Sequence, residues 1–554
     1  MIRVVRSTLV LVLFLLVSPI VAPLTAQFDP VGEIVLPASA GGNFWWAAEK
    51  DGYVYAITGW GGFYVYDVRA LGVDGPFTTF NTPVSQQDIG SLFSLFRVGN
   101  TLYIGGGALR VMDITDPAAP APGVTLGDGE PRYMTKSGDY LLATGNDFLG
   151  VYSIVDRSNP TLLASTTLGG DSGFSVARSG QNIYVGAFRG SGGFLRVFSW
   201  TGGDTFTSVR EIPTSDVYYQ LIINGSYLAG TWGGKAQIWS LADPSLPVLV
   251  NEQTASGRAA CLWGDKLITN GRVHKWHGPL LEEFSTFVPL QSQHDGVPHG
   301  AVGNTKFIFL AQQHRILILA TPPTLVFPQY INGLYGATPN STRLVLKNSG
   351  DEAATGLARF RTTAGMPNPV SIGGADQSEV SYAIPAGGTR QVITDGTGGL
   401  SNGPLEVRSE TAADTDVSGT VIFSLFGHDV SAQAAPLAKN HRVFASRTSG
   451  EDTGVAVYNP SLVAIAELEA RLFDKDGAQV AGPVTLTVGP RVQRAVFISE
   501  APLFETYFVG LAGDFEGTLT LRAAGGPVAV MSFIQKSTGA LLAVPVESET
   551  PPGP

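Results

Sequence analysis

The sequence predicts an all-β chain, a seven-bladed β-propeller followed by two tandem β-sandwich domains. Three observations carry this. A short alternating strand recurs through residues 27–322, most fully as Leu109–Pro120 (LRVMDITDPAAP). The strand preceding each copy starts near Tyr53, Thr101, Asp139, Asn182, Ser226, Lys266 and Lys306, at successive spacings of 48, 38, 43, 44, 40 and 40 residues. A period of ~40–45 residues with several strands per unit is the mark of propeller blades, each a small sheet that buries its faces only against its neighbours. Beyond Pro323 this period stops and a second repeat of about 110 residues takes over, a length that suits a sandwich.

Composition agrees. The chain has 554 residues, enough for several domains, with 44% hydrophobic side chains to build cores. Charged residues make up 15%, against about 25% in an average soluble domain. The 68 glycines and 35 prolines indicate many tight turns between short strands. A net charge of −11 supplies no basic field for phosphate backbones and argues against nucleic acid as a partner.

Residues 1–26 read as a signal peptide. Arg3 and Arg6 precede the apolar run Leu9–Val17, and cleavage is placed after Ala26, with Ala22 as the alternative. No later stretch reaches ~18 uninterrupted apolar residues, so the mature chain is expected to lack an integral membrane segment. The expected address is secreted or cell surface, with the periplasm also open. The single cysteine, Cys261, allows no intrachain disulfide, and within RAACLWG it is expected to point into a core.

Within each unit a first strand leads through a tight turn to a YVG-type and then an LRV-type strand, and an Asp-Pro turn gives the outer strand. Related third strands are Gly62–Val68, Leu149–Pro160, Leu195–Trp200 and Ala236–Pro247, with weaker copies at Arg272–His277 and Arg315–Ala320. The last unit shows no outer strand of its own, whereas Val31–Pro37 (VGEIVLP) looks like an outer strand with no blade before it. It is expected to complete the seventh sheet. The long first spacing is assigned to an insert at Leu71–Asp88. The Asp113-Ile114-Thr115-Asp116-Pro117 pattern resembles the LVIVD-repeat family of exported bacterial β-propellers, over roughly residues 28–322. That resemblance implies a propeller in a surface or secreted setting and no particular enzyme activity.

Residues 323–437 and 438–547 are read as the two sandwiches, and 548–554 as a disordered tail. Leu344–Asn348 answers Val455–Pro460, Ala358–Arg361 answers Glu469–Phe473, Ile384–Gly387 answers Val488–Pro490, and Gly419–Phe423 answers Pro527–Phe533. Both units resemble the immunoglobulin- or fibronectin-like domains appended to exported proteins of environmental bacteria.

Candidate site residues come from aligning the first strands, which line a propeller's central channel. Trp46, Ser94, Arg132, Ser175, Tyr219, Arg258 (or Ala259) and His299 fall at its mouth, in a register uncertain by one residue because such strands carry bulges. Arginines and aromatic rings round one opening suit an anionic or sugar-like ligand. His294, Asp295 and His299 are the candidates for a divalent metal or an acid–base pair, and no other cofactor is expected. His274 and His277 have a metal-like spacing, but on a strand they face opposite ways. Gly170-Asp171-Ser172-Gly173 mimics a serine-protease nucleophile segment without that family's His and Asp segments, so no catalytic residue is assigned. The leading expectation is an exported non-enzymatic binding or adhesion protein that meets an extracellular protein or polysaccharide. A hydrolase or lyase at the channel mouth, and a structural component of a surface layer or matrix, are the alternatives.

Overall fold

The computed structural model describes residues 28–549 apart from 38–42, 60–61, 74, 128, 191, 233–234, 255–259, 264–265, 270–271, 287–299, 304–305, 313, 351–352, 410–416, 426, 512 and 525. The predicted signal peptide therefore lies outside the described residues, as do Arg258, Ala259, His294, Asp295 and His299. The described chain is all β except for the single short helix Glu505–Gly510.

Its first half contains seven small sheets in chain order. The third is representative: Tyr133–Ser137, Tyr140–Gly145, Phe148–Ser153 and Thr161–Thr166 pair as an antiparallel meander. Each repeated LRV-type segment is a third strand, and each YVG-type segment a second strand buried on both faces, as Tyr53–Thr58 and Thr101–Gly106 are. First strands lie against one another in cyclic order, and Gly300–Gly303 touches both Ala260–Trp263 and Phe44–Lys50. The sheets therefore form a closed ring. The N-terminal strand Pro30–Val35 pairs antiparallel with Arg315–Ala320, completing the last sheet as the sequence predicts. The insert in the first unit adds to the same sheet, with Thr78–Phe80 running parallel to Gly32–Ile34.

The Asp-Pro turns have a mechanical role. Asp116 accepts the backbone N–H of Ala118 at 3.0 Å, and the equivalent Asp156 and Asp243 each accept both the N–H and the hydroxyl of Ser158 and Ser245. These hydrogen bonds hold the Asp156 and Asp243 carboxyls below the usual carboxylate range. In each case a tyrosine of the preceding sheet reaches the turn. Tyr55 donates to Pro117 O at 3.1 Å, Tyr103 to Arg157 O at 2.9 Å and Tyr184 to Pro244 O at 2.8 Å. The matching second-strand positions hold Leu142, Ala229 and Ile268 where the next sheet lacks such a turn. Tyrosine and turn are thus two ends of one link between consecutive sheets.

The described second half contains two units of nine main strands each, in the same spatial order. In the first, Thr338–Asn340, Leu325–Tyr335, Ser401–Ser409, Ala354–Phe360 and Glu379–Ile384 form one sheet in that order, and Thr389–Ile393, Thr342–Asn348, Val417–Leu425 and His428–Gln433 the other. In the second, Val546–Glu549, Asn440–Arg447, Phe515–Ala523, Ala466–Asp474 and Gln479–Val488 repeat the first order. Gln493–Phe497, Glu451–Tyr458, Val528–Lys536 and Leu541–Val544 repeat the other. All four predicted correspondences fall on equivalent strands. Asn348 and Asn459 end one such pair, and each donates its amide to carbonyls at the end of a facing strand, Ile384 O and Val488 O. The predicted tail needs correction: Ser548 and Glu549 pair with His441 and Asn440, extending the last sheet past residue 547.

Buried polar links join the units. Asp29, 2% exposed, accepts the Leu462 N–H at 2.6 Å and the Ser461 hydroxyl at 3.2 Å, while its own carbonyl accepts from Ala320 N. Arg408 donates to Thr321 O at 2.6 Å. Glu406, 3% exposed, accepts from Arg361 Nε at 2.7 Å and from the Tyr458 hydroxyl at 2.7 Å, which ties the two later units together. A buried carboxylate persists only when partnered in this way.

Two measurements test these links. Tyr103→Phe deletes one inter-sheet hydrogen bond without changing shape, and chemical denaturation should show a loss of about 1 kcal/mol. Burial lifts the Asp29 carboxyl to about 6, against the lowering effect of Leu462, Ser461 and Arg491. The folded chain then keeps a proton that the unfolded chain loses above pH ~4, so this group's contribution to stability falls as pH rises from ~4 to ~6. Burial moves His441 the other way, to about 4, so its contribution falls as pH drops from ~6.5 to ~4. Asp29→Asn isolates the first effect. Its stability relative to the parent should improve by up to about 3 kcal/mol between pH 4 and pH 7, and a pH-independent difference would refute this account.

Candidate functional site

The first strands enclose a cavity of about 480 Å³. Strand register sets what faces it. Register shifts fall between Phe44 and Trp46, Leu92 and Ser94, and Gly173 and Ser175, whereas Tyr133–Ser137 and Gln220–Asn224 pair without a shift. One extra residue in a strand re-aims every side chain before it. Counting five residues back from the end of each first strand gives Trp45, Phe93, Arg132, Phe174 and Tyr219, and one residue later come Trp46, Ser94, Tyr133, Ser175 and Gln220.

Aromatic rings dominate this end. Trp45 meets Phe93 edge-on at 5.2 Å, Tyr133 lies 5.6 Å from Phe174, and Phe174 lies 5.4 Å from Tyr219. All five are partly exposed. Edge-to-face and tilted packing at these distances is the favoured geometry for aromatic pairs. Trp46, Ser175 and Tyr219, three of the aligned positions, line the cavity, together with Tyr133, Phe174 and Gln220. Ser175 also donates to Tyr218 O in the next sheet at 2.7 Å.

Arg132 departs from the prediction. Its guanidinium lies 4.7 Å over the Phe93 ring and pairs with Glu130 at 2.9 Å, so Tyr133 takes the wall position. The physical reason is register: the second strand of this sheet begins at Tyr140, one residue after the Asp139 from which the alignment counts, so Tyr133, opposite Thr144, is the equivalent of Trp46 opposite Ile57. Ser94 is buried and is not among the residues of the wall. The remaining predicted site residues, Arg258, Asp295 and His299, and the metal candidate His294, fall outside the described residues.

The polar groups around the mouth are mutually engaged. Asn146 Nδ2 reaches Glu130 Oε2 at 3.4 Å, and the Ser172 hydroxyl donates to Asn146 Oδ1 at 3.0 Å. Asp171 is buried and accepts from Arg189 Nε at 2.6 Å, Arg189 Nη2 at 2.7 Å and Arg196 Nη1 at 3.1 Å, while Glu211 pairs with the same two arginines. The Gly170–Gly173 segment is therefore a salt-bridged turn. The opposite end of the cavity carries Glu49, Arg97, Lys136 and Arg178. Arg97 and Arg178 donate back to Gly99 O and Gly180 O, and Arg178 stacks on Trp200 at 4.9 Å.

His274 is buried and His277 exposed on the strand Arg272–His277, so the pair faces opposite ways, as the spacing argument requires. Among the described residues, no group of three or more His, Cys, Asp or Glu side chains is placed to hold a metal ion. Also among them, no helix is long and apolar enough to cross a membrane. Cys261 packs against the cluster of Ile268, Val273 and Ile308 and borders the cavity, and burial pushes its thiol up to about 12. Thiol reactivity requires the thiolate. Cys261 should therefore react with a maleimide at pH 8 far more slowly in the folded chain than after denaturation, and equal rates would show an open thiol.

No family model matches the chain, and no curated protein matches it. Among solved structures it is similar to the computationally designed Ika8 protein, at TM-score 0.35 and 11% identity over 53% of this chain and 99% of that one. The WD40 β-propeller domain of Doa1 gives TM-score 0.37 and 10% identity, over 54% of this chain and 96% of that one. The extracellular domain of the putative one-component system BT4673 from B. thetaiotaomicron gives TM-score 0.39 and 14% identity, over 65% and 48%. At such values the architecture rests on the chain's own sheet order. By that order the first half is a β-propeller-type domain within an all-β protein.

Proposed function

We propose that this chain is an exported, non-enzymatic binding protein. Its first half is a seven-bladed propeller of the LVIVD type that serves as the recognition scaffold. The two later units are immunoglobulin-like sandwiches that support it. The observation that carries this reading is the aromatic-rimmed cavity mouth, where the described charged side chains are paired with one another. Ion pairing of that kind fixes shape and leaves no described carboxylate poised as acid or base. Hydrogen bonds from Leu462 to Asp29 and from Arg408 to Thr321 across the unit boundaries support a role for the sandwiches as a rigid base. Export rests on the leader at residues 1–26, and the protein would act at the cell surface or outside it, on a protein or polysaccharide.

The test is a turnover screen of purified mature chain with ester, glycoside, lactone and phosphate substrates, with and without added divalent metal. Rates at the blank level, together with saturable retention on intact cells or their polysaccharides, are expected. Metal-dependent turnover would overturn the reading in favour of a hydrolase or lyase.

A further inference from the structure

One sector of the mouth combines two kinds of surface. Tyr133 and Phe174, tilted 36° to each other with centroids 5.6 Å apart, are partly exposed and line the cavity. Three planar polar groups outside the cavity wall flank these rings along the chain, Glu130 and Arg132 just before Tyr133, and Asn146 against Ser172, two residues before Phe174. The Glu130 carboxylate accepts from Arg132 Nη2 at 2.9 Å and from Asn146 Nδ2 at 3.4 Å. Glu130 and Asn146 are exposed, and each keeps hydrogen-bonding capacity beyond these contacts, since a carboxylate accepts about four bonds and an amide both donates and accepts.

Charge narrows the ligand. Arg132 is matched by Glu130, and Arg189 and Arg196 are matched by Asp171 and Glu211, while Asp147 beside Asn146 holds an exposed carboxylate against Gly170 N, so the sector presents no cationic field to an anionic ligand. The cavity of about 480 Å³ lies within the ~300–1,000 Å³ of small-ligand sites. A neutral sugar ring has the complementary chemistry. Its C–H face is apolar and suits an aromatic surface, and its adjacent hydroxyls donate and accept together, matching planar side chains that do the same.

We propose that this sector binds a neutral glycan, with a sugar ring against Tyr133 and Phe174 and adjacent hydroxyls bridging Glu130 and Asn146. This rests on the reading of the mouth as a recognition site and names its ligand class. The mature full-length chain should be titrated with cello-, laminari- and maltohexaose, by calorimetry and by tryptophan fluorescence, since Trp46 borders the cavity. Saturable binding of at least one is expected. It should weaken by about tenfold or more in Phe174→Ala and in Asn146→Ala, the second being a surface change that leaves the melting temperature unaltered. Arg97→Ala, at the far end of the cavity, should bind as the parent does.

Failure of all three saccharides to bind would overturn the proposal, as would binding that survives both mouth substitutions. Binding confined to polygalacturonate or to a proline-rich peptide, and lost in Asn146→Ala, would also overturn the glycan assignment while leaving the mouth a recognition site. Turnover in the substrate screen would instead remove the reading on which the assignment rests.

Discussion

The pairing of Pro30–Val35 with Arg315–Ala320 is the constraint on which the rest depends. A row of sheets has two exposed ends, and only a strand carried from one end to the other removes them. The closure joins segments more than 280 residues apart, so its loop entropy must be met by what it buries. Val31 and Ile34 enter one cluster with Phe44, Val54, Phe309 and Ile318, where the last sheet packs on the first. Leu462 of the second half packs on the same cluster, and Asp29 is held by Ser461 and Leu462 immediately before the closing strand. One stretch of chain thus closes the ring and fastens it to the second half.

The repeat acquires a physical meaning from the tyrosine links. An Asx-type turn fixes local geometry anywhere, but here it also turns a carbonyl toward the neighbouring sheet. Where a tyrosine of the preceding sheet is present, as at Tyr55, Tyr103 and Tyr184, the link forms. Where the turn is lost, the matching positions hold aliphatic side chains. The weak copies in the later units are then not simply degraded repeats; they are contacts that use hydrophobic packing alone, as Ile268 does with Ile308 and Leu317.

The pairing register of the first strands determines the character of the cavity mouth. Trp46, Tyr133 and Ser175 stand opposite equivalent second-strand residues, Ile57, Thr144 and Gly186, and line the wall, while Arg132 lies over Phe93 and pairs with Glu130. An arginine that would have made the opening cationic is thereby spent within an ion pair and a ring contact. The resulting surface is aromatic, with the arginines beside it held in ion pairs.

The sequence by itself determined the all-β class, the second-strand starts, the return of the N-terminal strand and the doubled wiring of the second half. Each of these follows from period-two alternation and from spacings that repeat along the chain, which are local properties. Aligning the units on their second strands also led to Trp46, Ser175 and Tyr219, which line the cavity. Tertiary structure decided the rest. A strand start that moves by one residue, from Asp139 to Tyr140, leaves the hydrophobic pattern unaltered, so the alignment led to Arg132 where Tyr133 stands in the wall, and it gave no sign of Phe174 there. Partners such as Asp29 with Leu462, or Glu406 with Tyr458, lie 433 and 52 residues apart and leave no local trace. Their burial, and with it the raised carboxyl of Asp29, exists only when the units are docked.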